Sequence, residues 1–331
     1  MSLLDGTEPG ADGVRALVQR AVELRSGAAP RQFPGRSVGA VFFNPSLRTR
    51  TSLEAACARL GAHPICIHPG TDAWAWEMTS GAVMDGATAE HIDEAVPVLA
   101  SYVDVLAVRS FARLTDAAED RADPVLAGFV ARSKVPVVNL ESAMWHPLQG
   151  LADTATWSEK LGPDLTGRRL VLTWAPHPRA LPAAVPNQVL LSAALMGMDV
   201  TVAHPEGFDL DPDVVARASA LAAAGGGGVT VRHDREALAD AEVVVAKSWS
   251  GFSGYADRDG EARRRAGLAS WRVDAADLPA SAGFMHCLPV RRNVVVADAV
   301  LDGPGSWVQL EAAYRLWTAA AVLESLLGDG W

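Results

Sequence analysis

The sequence predicts an α/β protein made of two doubly wound parallel-sheet domains linked by bridging helices. Three observations carry that prediction. Short β-rich runs alternate with longer helical ones, the alternation starts afresh after about residue 150, and 331 residues exceed the usual span of a single hydrophobic core.

The elements follow in order. Strands are expected at "SVGAVFF" (38–43 at its core), "HPICIH" (63–68), "VDVLAVRS" (103–110) and "VPVVNL" (135–140), with helices near 50–60, 89–101 and 122–133. The stretch "HPLQGLADTATWSEKLG" (146–162) keeps helical spacing and reads as a bridging helix between the halves. Strands resume at "RRLVLTWA" (168–175), "MDVTVAHP" (198–205), "VTVRHD" (229–234), "AEVVVAKSW" (241–249) and "AGFMHCLP" (282–289). "EAAYRLWTAAAVLESLLG" (311–328) closes the chain as a long amphipathic helix. The glycine run "AAAGGGG" (222–228) follows a helix and precedes a strand, the reverse of a dinucleotide-binding turn, so a helix stop is expected there.

Composition narrows the function classes. A formal net charge of −10 argues against a general nucleic-acid or anionic-membrane surface, since both require a positive field. Three cysteines, Cys57, Cys66 and Cys287, without CxxC spacing, argue against a disulfide framework or a cysteine-built zinc site. The N-terminus lacks a basic segment followed by an apolar core, and no run approaches the length of a membrane span, so a cytoplasmic protein is the expectation. No cofactor and no metal are expected.

One stretch asks for an anion. In "FFNPSLRTRTSLEAA" (42–56) a strand ends at Asn-Pro and a helix is expected to begin near Ser46. Backbone N–H groups at a helix start are unpaired, and the helix end carries partial positive charge. Ser46 and Thr49 add hydroxyls there, and Arg48 and Arg50 add planar forks suited to phosphate oxygens. Arginine at that end is unfavourable unless an anion answers it; the alternative is a pair of solvated surface charges.

The order Ser46, Leu47, Arg48, Thr49, Arg50 resembles the carbamoyl-phosphate loop of the aspartate and ornithine carbamoyltransferases. Four further stretches fit that family in order: "VRSF" with Arg109, "HPLQ" with His146 and Gln149, "HCLPVRRN" with Cys287 and Arg291, and "EAAYR" with Arg315. The resemblance implies that Ser46, Leu47, Arg48, Thr49 and Arg109 hold phosphate, and that His146, Gln149 and the Cys287-Leu288 backbone surround the carbamoyl group, with Arg315 completing the site. His146, Cys287 and Arg109 are the implied catalytic residues. Taken alone, His146 is as well explained by a satisfied structural histidine and Cys287 by an inert core thiol, although Arg291 and Arg292 would favour a thiolate. The implied domains are 1–145 for carbamoyl phosphate, with helix 311–331 packing back on it, and 146–310 for the acceptor. The site is expected where strand ends meet.

The acceptor is read from the second half. "LTWAPHPRALPAAVPN" (172–187), "HPEGFDLDP" (204–212) and "AKSW" (246–249) resemble the N-acylornithine carbamoyltransferases, with wording closest to the N-succinylornithine type. The five-residue interval from Glu141 to His146 fits the same branch. At the acyl-discriminating position, proline in succinyl and glutamate in acetyl enzymes, this chain has Ala89, which removes the carboxylate that would repel a succinyl tail. Glu141, Arg179, Lys247, Cys287, Arg291 and Ala89 are the expected acceptor residues, Arg179 having a loop surface charge as its alternative. By the same resemblance Trp74 in "PGTDAWAWE" (69–77) reaches into a neighbouring subunit's site and contacts carbamoyl phosphate, and the chain forms a homotrimer.

The implied reaction transfers a carbamoyl group from carbamoyl phosphate to the δ-amine of an N-acylornithine, most closely N-succinyl-L-ornithine, in arginine biosynthesis. N-acetylornithine or another amine is the alternative acceptor. Glu141 and the departing phosphate are both candidates for the amine proton, and Cys287 for orienting the amine. A non-catalytic paralogue would be expected to lack an arginine or His146, and a nucleotide-dependent dehydrogenase would need the missing glycine fingerprint.

Overall fold

A computed structural model describes residues 1–328 and 330. Asp329 and Trp331, at the end of the expected helix 311–331, lie outside the described residues. The chain divides into two compact units. One comprises Met1–Arg113, Ala118–Leu148 and the chain from Arg315, the other Leu114–Ala117 and Gln149–Tyr314. The division thus falls at Leu148 and Gln149 and not after residue 145, and Leu114–Ala117 group with the second unit although 1–145 was the expected first domain.

The first unit contains α1 (Gly10–Arg25), β1 (Ser37–Phe42), α2 (Arg48–Arg59), β2 (His63–Ile67), β3 (Trp76–Glu77), β4 (Glu90–His91), α3 (Ile92–Ala100), β5 (Val105–Arg109), most of α4 (Ala117–Ala122), α5 (Pro124–Arg132) and β6 (Val137–Glu141). Its sheet is parallel throughout, in the order β2-β1-β5-β6. Every residue of β5 is buried, which explains a continuous apolar run where a half-exposed strand would alternate. Residues 89–91 were expected to open a helix. They instead pair Glu90 and His91 with Trp76 and Glu77, and α3 starts after them because the His91 ring accepts the Asp93 N–H as its cap.

In the second unit lie most of α6 (Pro147–Leu161), β7 (Arg169–Trp174), α7 (Ala184–Leu195), β8 (Asp199–Ala203), α8 (Pro212–Gly225), β9 (Gly228–Arg232), β10 (Val243–Lys247), α9 (Arg258–Ala266), β11 (Gly283–Met285), α10 (Asp298–Leu301) and the start of α11 (Val308–Leu327). Its sheet is also parallel, in the order β11-β10-β7-β8-β9. The glycine run stops α8: Gly226 takes φ +89°, and a Cβ on Gly227 would stand 2.3 Å from the Met198 carbonyl oxygen. Buried Trp174 and Trp249 satisfy their indole N–H groups on the carbonyls of Trp249 and Phe208, at 3.0 and 2.7 Å, which fixes the chain just beyond β10.

From Arg315 on, α11 belongs to the first unit, where Arg20 binds the largely buried Glu324 at 2.7 Å and Arg59 lies over Trp317. Among the described residues no helix is long and apolar enough to cross a membrane.

Candidate functional site

In an open parallel sheet, ligands bind beyond the strand C-termini where the strand order reverses direction. The first sheet reverses between β1 and β5, and there Phe42 pairs with Arg109 while the Phe43 N–H bonds the Arg109 carbonyl at 3.0 Å. A register irregularity after Val108 brings Arg109 opposite Glu141 at the end of β6.

Five residues read from four motifs meet at this edge. Arg109 is buried, donates to the Glu141 carboxylate at 2.6 Å and lies 3.4 Å from the Thr49 hydroxyl. Arg315 donates to the same hydroxyl oxygen at 2.9 Å. The His146 Nε2 stands 3.4 Å from Glu141. Thr49, 3% exposed, is the hub on which two guanidinium groups converge, although their charges repel. The arrangement is compensated by Glu141 and is suited to a dianion.

The stretch expected to hold an anion folds partly as expected. The Ser46 hydroxyl accepts the Thr49 N–H at 3.2 Å, so it caps the first turn, but α2 begins at Arg48 and not at Ser46. Arg48 is half-buried and, among the described residues, pairs with no carboxylate. Arg50 does not join it. Two residues on, it projects from another face of the helix and binds Glu54 at 2.9 Å in an i,i+4 pair. Leu47 is 73% exposed, leaving its backbone as the part that can serve a ligand.

The second sheet reverses between β7 and β10, where Trp174 pairs with Lys247. The Arg291 Nε donates to the His177 Nε2 at 3.0 Å, so that nitrogen carries the lone pair, and the Nδ1 lies 3.0 Å from the Arg179 carbonyl oxygen and 3.1 Å from the Arg179 backbone nitrogen. Burial, followed by the positive charges of Arg291, Lys247 and Arg265, holds His177 below its ordinary pKa. Lys247, Arg291 and the Arg179 turn thus form one cationic neighbourhood around a neutral imidazole. The Arg179 residue itself is exposed.

Around Cys287 the backbone is held from behind. Buried Glu311 accepts the His286 N–H at 3.0 Å and a Gln149 amide proton at 2.8 Å, and His286 Nδ1 accepts the Leu288 N–H at 2.9 Å. Gln149 also binds Asp153 at 2.7 Å. Leu288 adopts φ +53° before a cis Pro289. Arg292, expected to favour the Cys287 thiolate, is engaged by two carboxylates. It binds Asp298 at 2.8 Å and Asp302 at 2.7 Å.

Trp74 and Ala89 share one small ribbon: Trp74 is 62% exposed, its indole N–H reaches Glu90 at 2.5 Å, and the Ala89 N–H bonds the Ala75 carbonyl at 3.1 Å. Glu141, an expected acceptor residue, lies against Arg109 at 2.6 Å and His146 at 3.4 Å. His177 and Glu311 were missed as participants, although both sit inside quoted motifs, "LTWAPHPR" and "EAAYR". Among the described residues neither cluster contains a grouping of metal ligands.

Residues 2–159 match the aspartate/ornithine carbamoyltransferase carbamoyl-P binding domain, and residues 183–326 the Asp/Orn binding domain of that family. The chain is 41% identical over 319 residues to the N-acetylornithine carbamoyltransferase of Xanthomonas campestris, covering 95% of this chain and 94% of that protein. It is 38% identical over 291 residues to the N-succinylornithine carbamoyltransferase of Bacteroides fragilis, with coverage of 87% and 86%. A crystal structure of N-acetyl-L-ornithine transcarbamylase with a glutamate changed to alanine, complexed with carbamyl phosphate and N-succinyl-L-norvaline, superposes with a TM-score of 0.95 at 40% identity, covering 98% of this chain and 99% of that one. The chain belongs to the aspartate/ornithine carbamoyltransferase family.

Proposed function

We propose that this enzyme transfers the carbamoyl group of carbamoyl phosphate to the δ-amine of an N-acylornithine, giving N-acylcitrulline and phosphate in arginine synthesis. The single observation that carries the reading is the buried Thr49 hydroxyl with Arg109 and Arg315 converging on it. Two guanidinium groups so placed, with Arg48 and the first N–H groups of α2, grip the phosphate and stabilise the charge it gains on leaving. His146, beside Glu141 at this edge, meets the carbamoyl oxygen as the amine adds to its carbon. A C–N bond forms, the bond from carbon to the phosphate oxygen breaks, and the amine proton passes to the departing phosphate or to Glu141. The free amine is scarce near neutral pH because an alkylammonium ordinarily has a pKa of about 10.4.

Lys247, Arg291 and Arg179 supply positive charge for the acceptor's carboxylates, with neutral His177 between them. N-Succinyl-L-ornithine, carrying one more carboxylate than the acetyl compound, suits that charge, and Ala89 has no carboxylate to repel it. The succinyl ligand of the glutamate-to-alanine relative supports the same acceptor. A second reading, N-acetyl-L-ornithine, is favoured by the higher identity to the acetyl enzyme. Trp74 and Ala89 belong to one ribbon, so the site that Trp74 enters is the one whose acyl end Ala89 borders. In a homotrimer that would be a neighbour's site.

Phosphate release measured in parallel with N-succinyl-, N-acetyl- and free L-ornithine tests the proposal. A charge-assisted contact contributes about 1.5–3 kcal/mol, so succinyl should be preferred over acetyl by some tens-fold, and Arg179→Ala should erase the preference. Faster turnover of free ornithine than of either acyl compound overturns the acceptor assignment.

A further inference from the structure

We propose that His204, Asp209 and His233 form a binding site for a divalent transition metal of the zinc class, distinct from the residues assigned to carbamoyl transfer. The sheet brings the histidines together. β8 and β9 run in register to Ala203 and Arg232, and the His204 N–H bonds the Arg232 carbonyl at 3.0 Å, so the next pair of residues emerges side by side. Their rings stand 4.9 Å apart, centre to centre. Asp209 approaches from the following turn, its carboxylate 3.7 Å from the His204 Nε2.

That separation is too long for a hydrogen bond. What the three groups do share is convergence: one ligand atom from each lies within 4.8 Å of the others. Ligands about 2.0–2.2 Å from a tetrahedral zinc stand roughly 3.3 Å apart. His233 and Asp209 are exposed, so side-chain rotation alone can close that difference.

Buried His204 is already oriented for the task. Its Nδ1 donates to the Pro205 carbonyl at 2.9 Å, which leaves the lone pair on Nε2, facing the other two groups. A backbone carbonyl fixing the tautomer in this way is the usual outer support of a metal-bound histidine. Two imidazoles and one carboxylate suit zinc and its neighbours better than magnesium or calcium. A cavity of about 630 Å³, lined by His204, Asp209, Val231 and Phe252 among others, gives an ion and its waters a way in.

The turn that carries Asp209 is itself tied to the chain beyond Lys247. The Asp209 carbonyl accepts the Phe252 N–H at 2.7 Å, and the Phe208 carbonyl accepts the Trp249 indole at 2.7 Å. Metal at this point would therefore stiffen the edge of the second sheet and the support of its switch point.

The test uses the full chain stripped of metal with a chelator, then titrated with Zn²⁺ by calorimetry and with Co²⁺ by visible absorption. One equivalent per chain is expected, together with a higher melting temperature in the presence of Zn²⁺. His233→Ala and Asp209→Asn each should weaken binding by about 100-fold or more, because even outer-shell changes cost roughly 10–100-fold. Both side chains are exposed, so the metal-free melting temperatures should match the parent's. No saturable binding at millimolar metal overturns the assignment, as does binding that survives both substitutions or that disappears when the cysteines are replaced.

Discussion

Replacing Glu141 by glutamine keeps the side chain's shape and removes the charge that faces Arg109 at 2.6 Å. The two side chains are 14% and 8% exposed, so buried-pair energetics govern the outcome. Unit charges roughly 4 Å apart at an effective dielectric constant of about 20 attract by about 4 kcal/mol. Removing one partner of a buried pair costs roughly 3–5 kcal/mol. Glutamine still accepts a hydrogen bond, which favours the lower end, about 3 kcal/mol, or a fall in melting temperature of roughly 6–12 °C for a domain of this size. The anion reverses part of that loss. Inorganic phosphate, a product of the reaction, restores a negative partner to Arg109; recovery of about half the penalty corresponds to roughly tenfold tighter phosphate binding by Glu141→Gln than by the parent. Thermal melting with and without phosphate, and calorimetric phosphate titration of both proteins, measure the two quantities. A variant that loses stability but binds phosphate no more tightly would show that Arg109 serves the fold and not the anion.

Four other outcomes are expected. Arg48→Ala should raise the KM for carbamoyl phosphate by about tenfold to a hundredfold, from one lost charge-assisted contact of about 1.5–3 kcal/mol, without shifting the melting temperature, whereas Arg50→Ala should change neither; steady-state kinetics on the two variants separates them. Trp74→Ala should lower activity while leaving the circular dichroism spectrum intact, and undiminished activity would refute the shared-site role of that exposed indole. At pH 8 a disulfide-exchange reagent should modify Cys57 and Cys66 only slowly, because burial pushes the Cys57 thiol up to about 12 and the Cys66 thiol up to about 11; Cys57→Ser and Cys66→Ser should leave the fastest phase of modification unchanged. His177 is held neutral in the folded protein, so the unfolded chain takes up its proton first on acidification, and stability falls as pH drops below about 6.5 towards the lower native value. Chemical denaturation across that window should give a shallower slope for His177→Gln.

Much of the fold is legible because a parallel strand buried on both faces is an apolar run that needs no partner to be recognised. Each expected strand is present, and the bridging helix runs from Pro147 to Leu161. The two-residue strands β3 and β4 were invisible in the sequence, since neither has enough length for periodicity and each exists only because the other supplies its hydrogen bonds. Arg48 and Arg50 show a different limit. They look equivalent as a pair of charges, yet helical phase sends Arg50 to Glu54 and leaves Arg48 half-buried.

What the sequence by itself determined was the inventory: which arginines, which histidine, which glycine stop, and an order of motifs that places one set in each half. That much is written in residue types and spacing because local backbone preference and apolar period act over short stretches. Only the tertiary structure decided the partners. Glu141 neutralises Arg109 through a shift in strand register, Thr49 collects guanidinium groups from residues 109 and 315, His177 is fixed as one tautomer by Arg291, and His204 meets His233 across adjacent strands. Such pairings depend on distances set by the packing of segments far apart in the chain, which no local spacing encodes.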